Sequence, residues 1–98
     1  METVLSINPT EGPDLGNITV QITGNGFIQS DTISCRFGTI IVSAVWKSPT
    51  ILDCSVPQNN AGTEVLVAVS NNGVDFSSSS TAFVYQGTRQ YSIRFDFF

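Results

Sequence analysis

Cys35 and Cys54 lie in two separate alternating apolar runs, and that placement constrains the fold more than any other feature of the chain. In Ile33-Ser34-Cys35-Arg36-Phe37, the residues Ile33, Cys35 and Phe37 share one face of a strand, because strand side chains repeat every second residue. Leu52, Cys54 and Val56 do the same in Ile51-Leu52-Asp53-Cys54-Ser55-Val56. Both cysteines therefore point toward a core, and a two-layer β-fold can bring them face to face. A bridge between them would close a loop of about 20 residues and remove about 3 kcal/mol of unfolded-state freedom. It would also suit an oxidising compartment, where disulfides persist. The alternative is a pair of unbridged cysteines acting as small buried hydrophobes. The bridge is the favoured reading, since both side chains face inward and no third cysteine competes.

Composition narrows the function classes. A chain of 98 residues with 41% apolar residues is sized for one domain with one core. Only 12% of residues are charged, with a net charge of −4. Phosphate binding calls for clustered Lys and Arg, and Arg36, Lys47, Arg89 and Arg94 form no stripe, so nucleic acid is not an expected partner. No apolar run approaches the length that crosses a bilayer. Met1-Glu2-Thr3-Val4 has neither a basic region nor an apolar signal core. An extracellular reading therefore implies a segment excised from a longer chain, with a start methionine added.

Strands and turns alternate along the whole chain, with no sustained helical period. Val4 to Ile7 is a short strand stopped at Asn8-Pro9, since proline lacks a ladder donor. Glu11 to Gly16 reads as a turn-rich connector. Ile18 to Thr23 alternates and ends at Gly24-Asn25-Gly26, after which Phe27 and Ile28 are expected to plug one end of the core. Thr32 to Phe37 and Ile51 to Val56 are the cysteine strands, with Ile40 to Trp46 between them; Trp46 is expected to be buried. Glu64 to Ser70 alternates and runs into Asn71-Asn72-Gly73, which predicts a type I′ hairpin with Val74 to Phe76 as its return arm. Ser77 to Ser80 then loops into Thr81 to Gln86, with Phe83 and Tyr85 inward. Seven or eight short strands spaced by turns predict an all-β sandwich.

The order of these segments resembles an IPT/TIG domain, the immunoglobulin-like module of plexins, hepatocyte-growth-factor-type receptors and Rel-type transcription factors. Ile7-Asn8-Pro9-Thr10-Glu11-Gly12-Pro13 is similar to the family's opening I-x-P-x-x-G, and Ile18 to Phe27 to its V-T-I-x-G-x-G-F. Cys35-Arg36-Phe37-Gly38 is similar to C-x-F-G, and Ile51 to Pro57 to I-x-C-x-x-P. Val67 to Ser77 resembles V-x-V-S-x-N-G-x-x-F-S, and Phe83-Val84-Tyr85 the closing F-x-Y. The resemblance spans residues 4 to 86 in order, and several elements in register make it specific. Gly16-Asn17 stands where the family often has two glycines. The match implies a domain over residues 1–87 and a separate tail over 88–98. It speaks to architecture more than to activity.

The residues themselves offer no chemistry. Histidine is absent, removing the commonest general base and metal ligand. Two cysteines without histidine cannot complete a zinc site, and the acidic residues have no calcium-loop spacing. Asp31 and Asp75 could lend ligands to a loop, but turn formation explains both. No enzyme activity, cofactor or metal is implied. Asn17-Ile18-Thr19 fits the N-glycosylation acceptor pattern, whereas the proline excludes Asn8-Pro9-Thr10. The leading functional reading is an extracellular module of a cell-surface or secreted protein. It would act as a spacer and protein-binding domain in adhesion or receptor signalling. Rival readings are the TIG domain of an intracellular transcription factor, and an accessory domain of a carbohydrate-active enzyme that would need an exposed aromatic platform. In the tail, Tyr91, Ile93, Phe95 and Phe97 alternate with polar residues, giving a strand with one apolar face. It would pair with a sheet edge of its own domain or a second chain, unless it is a frayed or foreign end.

Overall fold

Eight strands account for the regular structure in a computed structural model that describes residues 2–78 and 81–87. They are β1 (Thr3–Asn8), β2 (Glu11–Pro13), β3 (Thr19–Asn25), β4 (Ser34–Phe37), β5 (Ile40–Ser48), β6 (Ile51–Ser55), β7 (Glu64–Ser70) and β8 (Ala82–Gln86). Hydrogen bonding runs in the order β1-β3-β6-β5-β4-β7-β8-β2. The nine-residue β5 makes this ladder continuous, because its two halves serve different layers. Ile40–Ser43 pair with β4, while Ala44 to Ser48 pair with β6 across a bulge between Trp46 and Ser48. The N-terminal segment does the same at the other margin. It leaves β3 at Asn8, passes the cis Asn8–Pro9 peptide, and joins β8 at Glu11. The fold is an immunoglobulin-like sandwich.

Period-two alternation fills the space between the layers. Val20, Ile22, Leu52 and Cys54 face inward from one layer; Cys35, Phe37, Val67, Val69, Phe83 and Tyr85 face them from the other. The rings interlock edge to face, with centroids 6.0 Å apart for Phe37–Phe83 and 5.2 Å for Phe83–Tyr85. The Tyr85 hydroxyl donates to the Pro57 carbonyl at 2.8 Å, so its polar end is satisfied. Burial pushes its pKa above the usual phenol value, keeping it a neutral donor at ordinary pH. Gly24 is required by close approach: a Cβ there would strike the Thr3 carbonyl of the edge strand and lie 2.8 Å from the Phe27 ring. Phe27 closes that end of the core at 3% exposure, but Ile28 points outward at 60%.

Two connections differ from the sequence expectation. Glu11–Pro13, read as a loop, is a strand parallel to β8. Three residues containing Gly and Pro carry no apolar alternation. What holds them is main-chain pairing, extended at each end by Val84 N to Thr10 O and Asp14 N to Gln86 O. The Asn72-Gly73 hairpin is also not formed as predicted. Residues 71–75 are bends, Asn72 lacks the positive φ of a type I′ turn, and Val74 to Phe76 is not a strand. Side chains took over the amides instead. Asn72 Oδ1 accepts from Val74 N and Asp75 N at 2.8 and 2.9 Å, and Ser70 Oγ accepts from Gly73 N at 2.9 Å. β7 pairs with β8, reached only after Ser77 and Thr81 have bonded beside it.

Gly73 nonetheless has φ +77°, and a Cβ there would lie 3.1 Å from the Thr32 carbonyl. Gly73→Val is therefore expected to cost at least about 1 kcal/mol, read as a lower urea midpoint at unchanged slope. An unchanged midpoint would show that this bend does not hold its positive φ. The neighbouring Asn71 ties the same end together. Its side chain accepts from Ile28 N and donates to Gly26 O, and its carbonyl accepts from the Ser30 and Thr32 hydroxyls.

Candidate interaction surface

Register places each residue singled out in the sequence. Cys35 on β4 and Cys54 on β6 come from opposite layers and are joined in a disulfide, with Cα atoms 6.5 Å apart. Each inward position is set by alternation within its own strand. Their meeting requires β5 to carry the chain from one layer to the other between them. Asn17 is exposed with φ +63°, and its amide donates to Val56 O at 2.9 Å, so the side chain is held out beside the start of β3. Thr19 is exposed as well. Tyr91, Ile93, Phe95 and Phe97 lie outside the described residues.

Asp75 is engaged by Asn72 Nδ2 at 3.0 Å, in keeping with a turn role, and Asp31 is exposed. Trp46 is half-buried against the core, its indole N–H donating to the Phe27 carbonyl at 3.1 Å. It therefore offers no open stacking platform of the kind a carbohydrate-binding face uses.

The outer faces of the two layers differ in character. On the first, Thr19, Gln21 and Thr23 of β3 lie beside Asp53 and Ser55 of β6, and Val45 of β5 and Leu5 of β1 are exposed apolar residues of the same layer. Lys47 and Asp53 approach to 3.8 Å, an exposed pair of the kind that contributes little. On the second, Arg36 of β4 stands between Ile41 of β5 and Ala68 of β7 in register. Ile41 and Leu66 are each 53% exposed. The Arg36 guanidinium lies over the Phe76 ring, 4.8 Å from its centroid, a cation–π contact. Beside it is an open depression of about 430 Å³, lined by Arg36, Thr39, Glu64, Leu66, Ala68 and Ser77 among others.

Sequence reading missed this arrangement, treating Arg36 as one of four scattered cations. The only local signal was alternation, which turns Arg36 outward wherever Cys35 and Phe37 turn inward. Its meeting with Phe76, 40 positions on, follows from how residues 71–78 return along β7.

Comparison with known proteins identifies the family. The IPT/TIG domain profile matches residues 3–85. The chain is 34% identical over 90 residues to the "Probable serine/threonine-protein kinase drkC" of Dictyostelium discoideum, covering 84% of this chain and 12% of that one. It is 35% identical over 85 residues to Fibrocystin-L of Homo sapiens, covering 84% of this chain and 2% of that one. It thus spans a small fraction of both curated relatives. Among solved structures, two of the plexin A4 full extracellular region superpose with TM-scores of 0.76 and 0.74, each at 21% identity. They cover 89% and 87% of this chain and 7% and 8% of theirs, a likeness of fold. With ordered motifs, an eight-stranded sandwich and a profile match over nearly the whole described chain, the protein belongs to the IPT/TIG domain family.

Proposed function

We propose that this chain is a non-enzymatic, extracellular immunoglobulin-like module of a larger cell-surface or secreted protein, serving as a spacer and as a protein-binding domain in adhesion or receptor signalling. The observation that carries this reading is the disulfide between Cys35 and Cys54, buried at 0% and 1% exposure, because such bonds persist in oxidising compartments and are rare in cytosol. Chain polarity supports the spacer role. β1 enters at the end where Thr3 pairs with Asn25, and β8 leaves at the opposite end, where Gln86 pairs with Pro13. A module with its entry and exit at opposite ends can be strung in series without rearranging its core. The small share of each curated relative that the chain matches is in keeping with one unit among several. Partners are accordingly neighbouring domains or other proteins, with neither nucleic acid nor cofactor implied.

Asn17 is the proposed glycan site, exposed and free of the core at the edge of β3. The tail over 88–98 is proposed as a separate pairing segment through Tyr91, Ile93, Phe95 and Phe97, with self-association as one outcome. Labelling of intact cells with a membrane-impermeant amine reagent tests the location. The parent chain carrying this domain should be labelled without permeabilisation, and Asn17→Gln should remove one endoglycosidase-sensitive mass step. Labelling that requires permeabilisation would overturn the extracellular reading.

A further inference from the structure

We propose that the outer face of the second layer is a docking site for an extended segment of a protein partner. One face of that segment would present, two residues apart, an acidic, an apolar and a basic side chain. The acid would meet Arg36, the apolar side chain would cover Leu66, and the base would approach Glu64. The proposal rests on the protein-binding part of the proposed function and is independent of the compartment in which the module works.

Arg36 carries the argument. β4 is paired on both sides, so the side chain lies across the middle of the sheet face and not on its rim. Its Nε is enclosed and has no hydrogen-bond acceptor. Lys47–Asp53, on the other layer, is the ion pair found among the described residues, so no carboxylate there answers the guanidinium. An enclosed donor without an acceptor is uncommon, because the water it gave up is not replaced. The terminal nitrogens of the same group are not enclosed, so a carboxylate arriving from outside meets them, and the planar guanidinium matches it there through two parallel bonds. The Phe76 ring beneath already restrains the plane of the group, so less side-chain freedom is lost when a partner arrives.

The rest of the face sets what flanks the acid. By register Arg36 lies opposite Ala68, which is covered at 3% exposure, while Leu66 and Glu64 follow at two-residue steps along β7 and are exposed. Strand geometry puts Glu64 about 13 Å from the Arg36 level, four residues at about 3.3 Å each. A cation, an exposed leucine and an anion in a row thus complement a strand-like segment with the opposite order of charge. Glu64 also disfavours a uniformly acidic ligand such as a polyphosphate, since its second charge would fall beside a carboxylate.

The probe is the capped peptide acetyl-Ser-Asp-Thr-Leu-Thr-Lys-Ser-amide, whose Asp, Leu and Lys share one strand face. It is titrated into the isotope-labelled full chain while the Arg36 Nε–H signal and the Leu66 and Ala68 amides are followed by NMR. Saturable shifts are expected at those three positions. The Asn-for-Asp peptide should bind at least about tenfold more weakly, the loss typical of one charge-assisted hydrogen bond. Because that comparison uses the unaltered protein, it does not depend on a variant folding; Arg36→Gln should then abolish the Asp preference. Equal responses to the Asp and Asn peptides, or no shift at Arg36, would overturn the proposal. Sodium sulfate reproducing the shift at the peptide's concentration would assign a bare anion site and overturn it too. So would a shift that grows with protein concentration alone, which would assign the face to a second copy. None of these failures touches the spacer reading, which cell-surface labelling tests separately.

Discussion

Reduction of the native protein is expected to raise its intact mass by the two hydrogens of Cys35 and Cys54, and loss of that bridge is expected to cost about 2–5 kcal/mol. The bond joins residues 19 apart in sequence and on opposite layers. In the unfolded chain it restricts the segment containing β5, the strand that both layers share. Both sulfurs are buried, so a Cys35→Ala, Cys54→Ala chain also loses two packed atoms from the core. The melting temperature of that variant should fall by on the order of 10 °C or more for a domain of this size. Rapid alkylation of the folded, unreduced protein at both thiols would show that no bridge forms, and the extracellular argument would lose its main support.

Phe83→Ala should be comparably damaging, at about 3–5 kcal/mol. The ring is fully enclosed, stands edge to face with Phe37 and Tyr85, and lies against Gly12 of β2. Removing it takes away apolar contact and two ring pairings worth about 0.5–1.5 kcal/mol each. Those neighbours sit on three different strands and cannot all move in to fill the space. The control is Leu66→Ala on the adjoining strand, where the side chain faces outward and the loss should stay within about 0.5 kcal/mol. Guanidinium unfolding of the pair checks the prediction. Equal losses would mean that the inward and outward faces of β7 and β8 are assigned wrongly.

Inward faces were legible because each strand carries its own record of which side is wet. Alternation in Ile33 to Phe37, in Leu52 to Val56 and in Phe83 to Tyr85 survives intact as the core. Failures occurred where bonding partners are distant or are not side-chain patterned. β2 escaped notice because its ladder to β8 is main-chain, joined by one side-chain bond from Gln86 Nε2 to Glu11 Oε1, and amide bonds leave no mark on residue type. The Asn72-Gly73 bend misled for the opposite reason. Asn-Gly suits a type I′ turn, but Ser70 and Asn72 also supply side-chain acceptors for the same amides, and local hydrogen bonding displaced the hairpin.

The Arg36 face shows the same division at the level of function. Alternation alone turns Arg36, Leu66 and Glu64 outward, yet nothing local brings Phe76 beneath the guanidinium or leaves Nε without an acceptor. The sequence by itself determined the class of fold, the family and the direction of nearly every core side chain, since these depend on short-range periodicity and on motifs in order. Only the tertiary structure decided that β5 serves two layers, that Cys35 therefore reaches Cys54, and that a cation, a leucine and an anion line up on one open face. Those outcomes depend on register between strands far apart in the chain, and register is set by the packing of all the strands together.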